Sequence, residues 1–232
     1  MAVPARMVLL STDWVYPGNT EMASERDPAP GFAAYGRSKA AAEVEVQRHL
    51  PDNHLVLRSA LIFGPPSPWQ PQLRSCLGWL VEAFVHQTAI TVFEDEYRTP
   101  VSVHALCAAI VAVLDLPLAT TWRQTLAARD STVTGTTPLV VNVGGHDRLS
   151  RLGMAQGLFA ILRKASGVPA EETNVHATSL KAKGLGTQRP ADVSLRTERL
   201  QLWLHQTARS YRDELAGMAA QLMVSRSEAN PK

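Results

Sequence analysis

The residue pattern predicts an alternating α/β chain built on a parallel sheet, and three observations carry the prediction. Residues 6–11 (RMVLLS) form a short apolar run of strand length, and comparable runs recur at 55–59 and 139–143. Between the first two runs, residues 35–50 are rich in Ala, Glu, Gln, Arg and Lys, which favour helix. Strands alternating with helices of this length favour crossover connections and a parallel sheet.

The remaining elements follow in order. Pro51, Asp52 and Asn53 precede the 55–59 strand, and Gly64, Pro65 and Pro66 follow it. A proline-rich loop at 65–71 opens onto a helix over about 72–86, with Leu73, Leu77, Leu80, Val81 and Phe84 as its core stripe. Short strands at 89–93 and 101–103 flank a turn over 95–100, and 104–114 is an apolar helix. Residues 119–137 are rich in Thr, Ser and Arg without a clean period. They read as an insertion, mobile or partly helical, with Trp122 a locally buried aromatic. After the 139–143 strand, Ser150 caps a helix over 150–166 that Gly167, Val168 and Pro169 close. A strand is expected over 174–180 and a helix over 197–204, which 206–224 continues or follows. Tyr211, Leu215, Met218 and Leu222 form one apolar face that packs on the body of the protein. The polar residues 225–232 read as a frayed, disordered tail.

Composition narrows the function classes. The chain has 232 residues, 45% hydrophobic and 19% charged, enough for a sizeable core. A net charge of +2 without a Lys/Arg run argues against a nucleic-acid partner. Cys76 and Cys107 lack a Cys-x-x-Cys arrangement and read as free thiols of a reducing compartment. The seven histidines form no cluster, which argues against a zinc site. The apolar runs at 7–10 and 106–114 are too short for a signal peptide or a bilayer span, so no membrane is expected and the expected location is cytoplasmic.

The candidate chemistry lies at Thr12, Tyr35 and Lys39. On a helix, Tyr35 and Lys39 at i and i+4 share a face. A nearby cation favours a phenolate, which suits a tyrosine to general acid–base work at a carbonyl or alcohol oxygen. Thr12 ends the first strand, where open parallel sheets bind ligands, and is placed to hydrogen-bond the same oxygen.

The neighbours of these residues form an ordered series. Ser11, Thr12, Asp13, Trp14, Val15, Tyr16, Pro17 and Gly18 come first, then Glu25 through Pro30, then Tyr35, Gly36, Arg37, Ser38, Lys39 and Glu43. Together they resemble the extended short-chain dehydrogenase/reductases, and within these the dTDP-4-dehydrorhamnose reductase-like (RmlD-like) branch. That branch also contains the regulatory beta subunit of methionine adenosyltransferase. Residues 57–65, 95–101, 141–145 and 189–195 resemble later segments of the same family, so the likeness runs over roughly residues 7–205.

The resemblance implies the C-terminal part of a Rossmann-type doubly wound parallel sheet plus a small substrate-binding subdomain. The expected divisions are a dinucleotide-binding remnant over 1–64 and a substrate segment with the insertion over 65–138. A late strand and helix would span 139–166, and a C-terminal substrate-binding part 167–224. Thr12 would hydrogen-bond the substrate carbonyl, Tyr35 would carry the proton, and Lys39 would hold the nicotinamide ribose. Arg98 and Arg189 would anchor the phosphate of a nucleotide-linked sugar, since guanidinium suits bidentate phosphate recognition. Asp13 would fix the turn after the strand, and Arg58 would serve structurally beneath the site. The implied activity is an NAD(P)-dependent reduction. The alternative is a non-catalytic subunit partnering the methionine adenosyltransferase catalytic subunit, and a homodimer is compatible with either.

One expected part is absent from the sequence. None of the 14 glycines builds the strand, glycine-rich turn and helix that cradle a dinucleotide pyrophosphate. At about 30 residues per βαβ unit, roughly 90–100 residues of first units are expected to be missing. The residue that selects NAD or NADP would be among them. Residues 7–10 are then expected as an exposed hydrophobic edge, and the chain alone is expected not to bind NAD(P)H.

Overall fold

A computed structural model describes residues 5–65, 77–117, 119–166 and 175–224. The beginning of the helix expected over 72–86, the turn at 167–169, Cys76 and the tail lie outside the described residues.

In chain order, β1 (Met7–Thr12) passes through a 3-10 turn (Asp13–Val15) to α1 (Ala33–His49), β2 (His54–Ser59) and β3 (Ile62–Phe63). Next come α2 (Gly78–Val85), β4 (Ile90–Phe93), β5 (Tyr97–Arg98), β6 (Val101–Ser102), α3 (Val103–Leu114) and α4 (Trp122–Arg129). The remainder is β7 (Val140–Val143), β8 (Leu149–Ser150), α5 (Arg151–Ser166), β9 (Val175–Thr178), α6 (Glu198–Leu204) and α7 (Tyr211–Val224).

β1, β2 and β7 form a parallel sheet in the order β1-β2-β7, as the three apolar runs predict. The register pairs Met7 with His54 and Thr12 with Ser59, so the strand ends align at the Thr12 level. All six residues of β2 are buried, which fits a central strand covered on both faces. β1 is an edge, with Met7 40% and Leu10 44% exposed. Short two-stranded pairs complete the molecule: β3 with β6, β4 with β9 and, antiparallel, β5 with β8.

Buried apolar side chains gather in two cores. One surrounds the three-stranded sheet with Leu55, Leu57, Val141, Trp122 and Trp203. The other joins α2, α5 and α7 through Phe84, Phe159, Leu158, Leu215 and Met218. β7 and α5 are separated in the chain only by the short β8 yet feed different cores. The α7 face of Tyr211, Leu215, Met218 and Leu222 is buried against the body, as expected. α6 and α7 are separate helices, because His205 turns left-handed (φ 54°) and ends α6.

The segment 119–137 is more ordered than its composition signals. Thr121 and Gln124 form a reciprocal capping box that opens α4, and Trp122 is 2% exposed. Arg123 pins the segment to the Asp52 carboxylate at 2.7 Å and to the carbonyls of Pro51 and Thr137. No helix of the described residues is long and apolar enough to cross a membrane.

Candidate functional site

β1 delivers Thr12 to its C-terminal end, and α1 begins beside it. Two backbone bonds seat the helix start: Gly31 N–H donates to the Val15 carbonyl and Phe32 N–H to the Trp14 carbonyl, both at 2.7 Å. Gly31 needs its positive φ of 85° to make this turn. Gly36 then lies so close to the 3-10 turn that a methyl group would fall 2.1 Å from the Trp14 carbonyl oxygen.

The result gathers Thr12, Tyr35 and Lys39. The Thr12 hydroxyl accepts the Trp14 N–H at 3.3 Å and donates to Asp13 Oδ1 at 3.1 Å. The Trp14 ring meets the Tyr35 ring edge-on, with centroids 6.0 Å apart. Tyr35 itself is 52% exposed, and the Lys39 ammonium donates to the Leu10 carbonyl of β1 at 3.1 Å. Thr12 and Tyr35 thus share Trp14 as a neighbour, and Lys39 straps α1 to the same strand.

Beneath them runs a buried polar layer. Arg58 on β2 holds Glu43 of α1 by a two-pronged contact (2.7 Å from Nη2) and donates to the Tyr16 phenol at 2.9 Å. Glu43 also accepts the Ser11 hydroxyl, and Tyr16 donates to Asn142 Oδ1 at 2.8 Å. Burial alone would lower the Arg58 pKa, but Glu43 and Tyr16 more than reverse it. Burial pushes the Tyr16 phenol up to about 12 against the pull of Arg58. Arg58 is structural, as expected: it ties β2 to α1.

Arg98 and Arg189 converge on one buried carboxylate. Glu96 is fully buried and receives Arg98 at 3.1 Å, Arg151 at 2.9 Å and Arg189 at 2.8 Å. Burial would raise its pKa, yet the guanidinia, Arg189 foremost, hold it below the usual carboxylate value. Arg98 is 1% exposed and also donates to the carbonyls of Tyr97 and Pro190. Its fork is therefore turned inward, which removes it from the phosphate-anchor role expected for it. Arg98 instead approaches Asp13, with Nε 3.9 Å from Oδ2. Asp13 is buried, its Oδ2 has no hydrogen-bond partner, and burial lifts its carboxyl to about 6 against the pull of Arg98 and Thr12.

Arg189 keeps an exposed flank. With Arg151, Trp79, Thr91 and Phe93 it lines a cavity of about 250 Å³, its guanidinium 5.4 Å from the Phe93 ring centre. Sequence reasoning does not single out Arg151, because its one legible feature is that it opens the apolar helix α5. No group of three or more His, Cys, Asp or Glu among the described residues could hold a metal ion.

A parallel sheet with a Tyr-x-x-x-Lys helix laid beside the end of β1 is the architecture of a Rossmann-type short-chain dehydrogenase/reductase. The chain belongs to the RmlD substrate binding domain family, whose model matches residues 1–224. Solved structures agree in fold. The dTDP-4-dehydrorhamnose reductase of Clostridium acetobutylicum superposes with a TM-score of 0.71 at 19% identity, covering 95% of this chain and 67% of that one. That of Bacillus anthracis, in complex with NADP, gives 0.68 at 19% identity, covering 91% and 64%. UDP-glucuronic acid 4-epimerase from Bacillus cereus, in complex with NAD, gives 0.63 at 17% identity, covering 95% and 60%. This chain therefore spans about two thirds of the length of these reductases. No curated protein matches it in sequence.

Among the described residues no cradle for a dinucleotide pyrophosphate is formed. A pyrophosphate needs a glycine turn opening onto a helix N-terminus. β1 runs instead into the 3-10 turn, and β7 into Gly144 and Gly145. Methyl groups on those two glycines would strike Thr99 at 2.7 Å and the Pro100 carbonyl at 2.2 Å, so they serve close packing and form no open cradle.

Proposed function

We propose that the chain supplies the acid–base and substrate-holding part of an NAD(P)-dependent reductase acting on a nucleotide-linked sugar. The observation that carries the reading is the convergence of Thr12 and Tyr35 on Trp14, with Lys39 strapped to β1 beside them. In this reading the exposed Tyr35 phenol gives its proton to the sugar carbonyl oxygen as that oxygen becomes a hydroxyl. The Thr12 hydroxyl turns from Asp13 to steady the same oxygen. Lys39 keeps Tyr35 oriented and meets the ribose. Arg151 and Arg189, already held by Glu96, present guanidinium edges to the phosphates, and Trp79 and Phe93 offer ring faces to the base.

Family membership and the reductase neighbours support the substrate class, and a bound NAD(P)H would supply the hydride that the carbonyl carbon takes up. Two measurements test the proposal. Fused behind the N-terminal strands of a family reductase, the chain is expected to reduce a dTDP-4-keto sugar, and Tyr35→Phe to lose at least about a hundredfold in kcat. Equal turnover by Tyr35→Phe would remove Tyr35 as the acid. The 232-residue chain by itself is expected to show no saturable NADPH binding in a fluorescence titration; tight binding would overturn that part.

A further inference from the structure

The outer edge of β7 lies across the sheet from β1 and is closed by side chains where another strand could pair. The Asn142 N–H donates to Glu25 Oε1 at 2.8 Å, and the Val140 carbonyl accepts from Arg199 at 3.1 Å. Beside this edge is a cavity of about 540 Å³, walled by Glu25, Arg26, Arg199 and the loop residues Thr132, Thr136 and Thr137. The loop is shaped from within. Asp130 accepts the Thr132 N–H at 2.9 Å, the Thr132 hydroxyl at 2.7 Å and the Trp203 indole at 2.9 Å. Thr137 is held between the Thr134 N–H and the Thr132 carbonyl. Among the described residues, the Thr136 hydroxyl has only the Thr134 hydroxyl as a partner, at 3.3 Å.

The charges facing this cavity are unbalanced at short range. Arg26 makes one long contact, to the Thr132 hydroxyl at 3.4 Å. Arg199 spends one bond on Val140 and stacks over Trp203, 4.6 Å from the ring centre. Among the described residues, neither guanidinium has a carboxylate oxygen within 4 Å. Glu25 and Asp130 act on Arg199 only from further off, while Arg26 repels it. Glu25, on the same wall, already accepts the Asn142 N–H through Oε1, and burial raises its pKa. Two like charges across one polar space, with free N–H forks on both, are stabilised by a shared oxyanion.

We propose that this cavity binds a phosphate monoester, with its phosphoryl oxygens shared between Arg26 and Arg199 and hydrogen-bonded by Thr136. Glu25, on the inner wall, takes a hydroxyl of the attached carbon skeleton. The site is independent of the Arg151–Arg189 cavity and of the reductase reading.

The test is a phosphorus NMR titration of the 232-residue chain with glycerol phosphate, with excess glycerol added as a competitor that should not displace it. Saturable binding that weakens with added salt is expected. Arg26→Ala should weaken it about tenfold, as loss of a charge-assisted bond does, and Thr136→Val should weaken it by a smaller factor. Both side chains are exposed, so the fold should survive, and far-ultraviolet circular dichroism checks this. Arg48→Ala, at an exposed arginine on the far end of α1, should leave the affinity unchanged. The proposal is overturned if the wild-type chain shows no saturable binding. It is equally overturned if Arg26→Ala binds like wild type, or if Arg48→Ala weakens binding as much as Arg26→Ala does.

Discussion

Gly36 rests against the carbonyl of Trp14, and this contact seats α1 on the end of β1. Alanine there would place its methyl 2.1 Å from the oxygen, a distance real contacts do not reach. The helix would have to move off the 3-10 turn and carry Tyr35 with it. Gly36→Ala is expected to destabilise the chain by about 1–3 kcal/mol, the usual cost of overpacking. A shift of the urea midpoint at unchanged m-value measures this, and an unshifted midpoint would show that the helix start has slack.

Asp13 gives the chain a pH dependence of known sign. Its folded pKa of about 6 lies above the reference value of 3.8, so the fold prefers the neutral acid. The contribution is fully present below about pH 4 and is lost as pH rises through 6. Above that, the ionised group costs about 3 kcal/mol. Asp13→Asn is therefore expected to be more stable than wild type at pH 8, by an amount that shrinks towards pH 4.5. A stability difference that does not vary with pH would reject this account.

Glu96 is the reverse case. Its depressed pKa means that the carboxylate stabilises the fold above its unfolded value, near 4.5, and that this is lost as pH falls through the folded pKa. Glu96→Gln leaves Arg98, Arg151 and Arg189 facing one another without their shared counter-charge. A loss of about 3–5 kcal/mol at pH 7 is expected, as for one partner removed from a buried ion pair. Chemical denaturation at pH 7 and at pH 4 reads both the size and the expected narrowing of the gap.

His205 offers a gain. It is exposed and holds φ at 54° where α6 ends, a conformation that costs a side chain and not glycine. His205→Gly is expected to stabilise the chain by about 1 kcal/mol and to raise its melting temperature by a few degrees. A lower melting temperature would mean that the imidazole makes a contact worth more than the backbone strain.

The sequence by itself determined the three parallel strands, the helix α1 that carries Tyr35 and Lys39, and the buried face of α7. These are matters of local spacing: a fully buried strand is an apolar run, and residues four apart on a helix share a face. The family was legible for a related reason, since its motifs are short and lie in order along the chain. Tertiary structure decided which charges meet. Arg98 and Arg189 look alike in sequence, yet Glu96 turns one fully inward and leaves the other a flank on a cavity. The order of residues 119–137 rests on Arg123 reaching Asp52, 71 positions earlier, which no local period can signal. The cavity beside β7 likewise needs Glu25 and Arg199 on one strand edge. Electrostatic partners are chosen by distance in space and by burial, and both are set only once the sheet order has folded distant segments together.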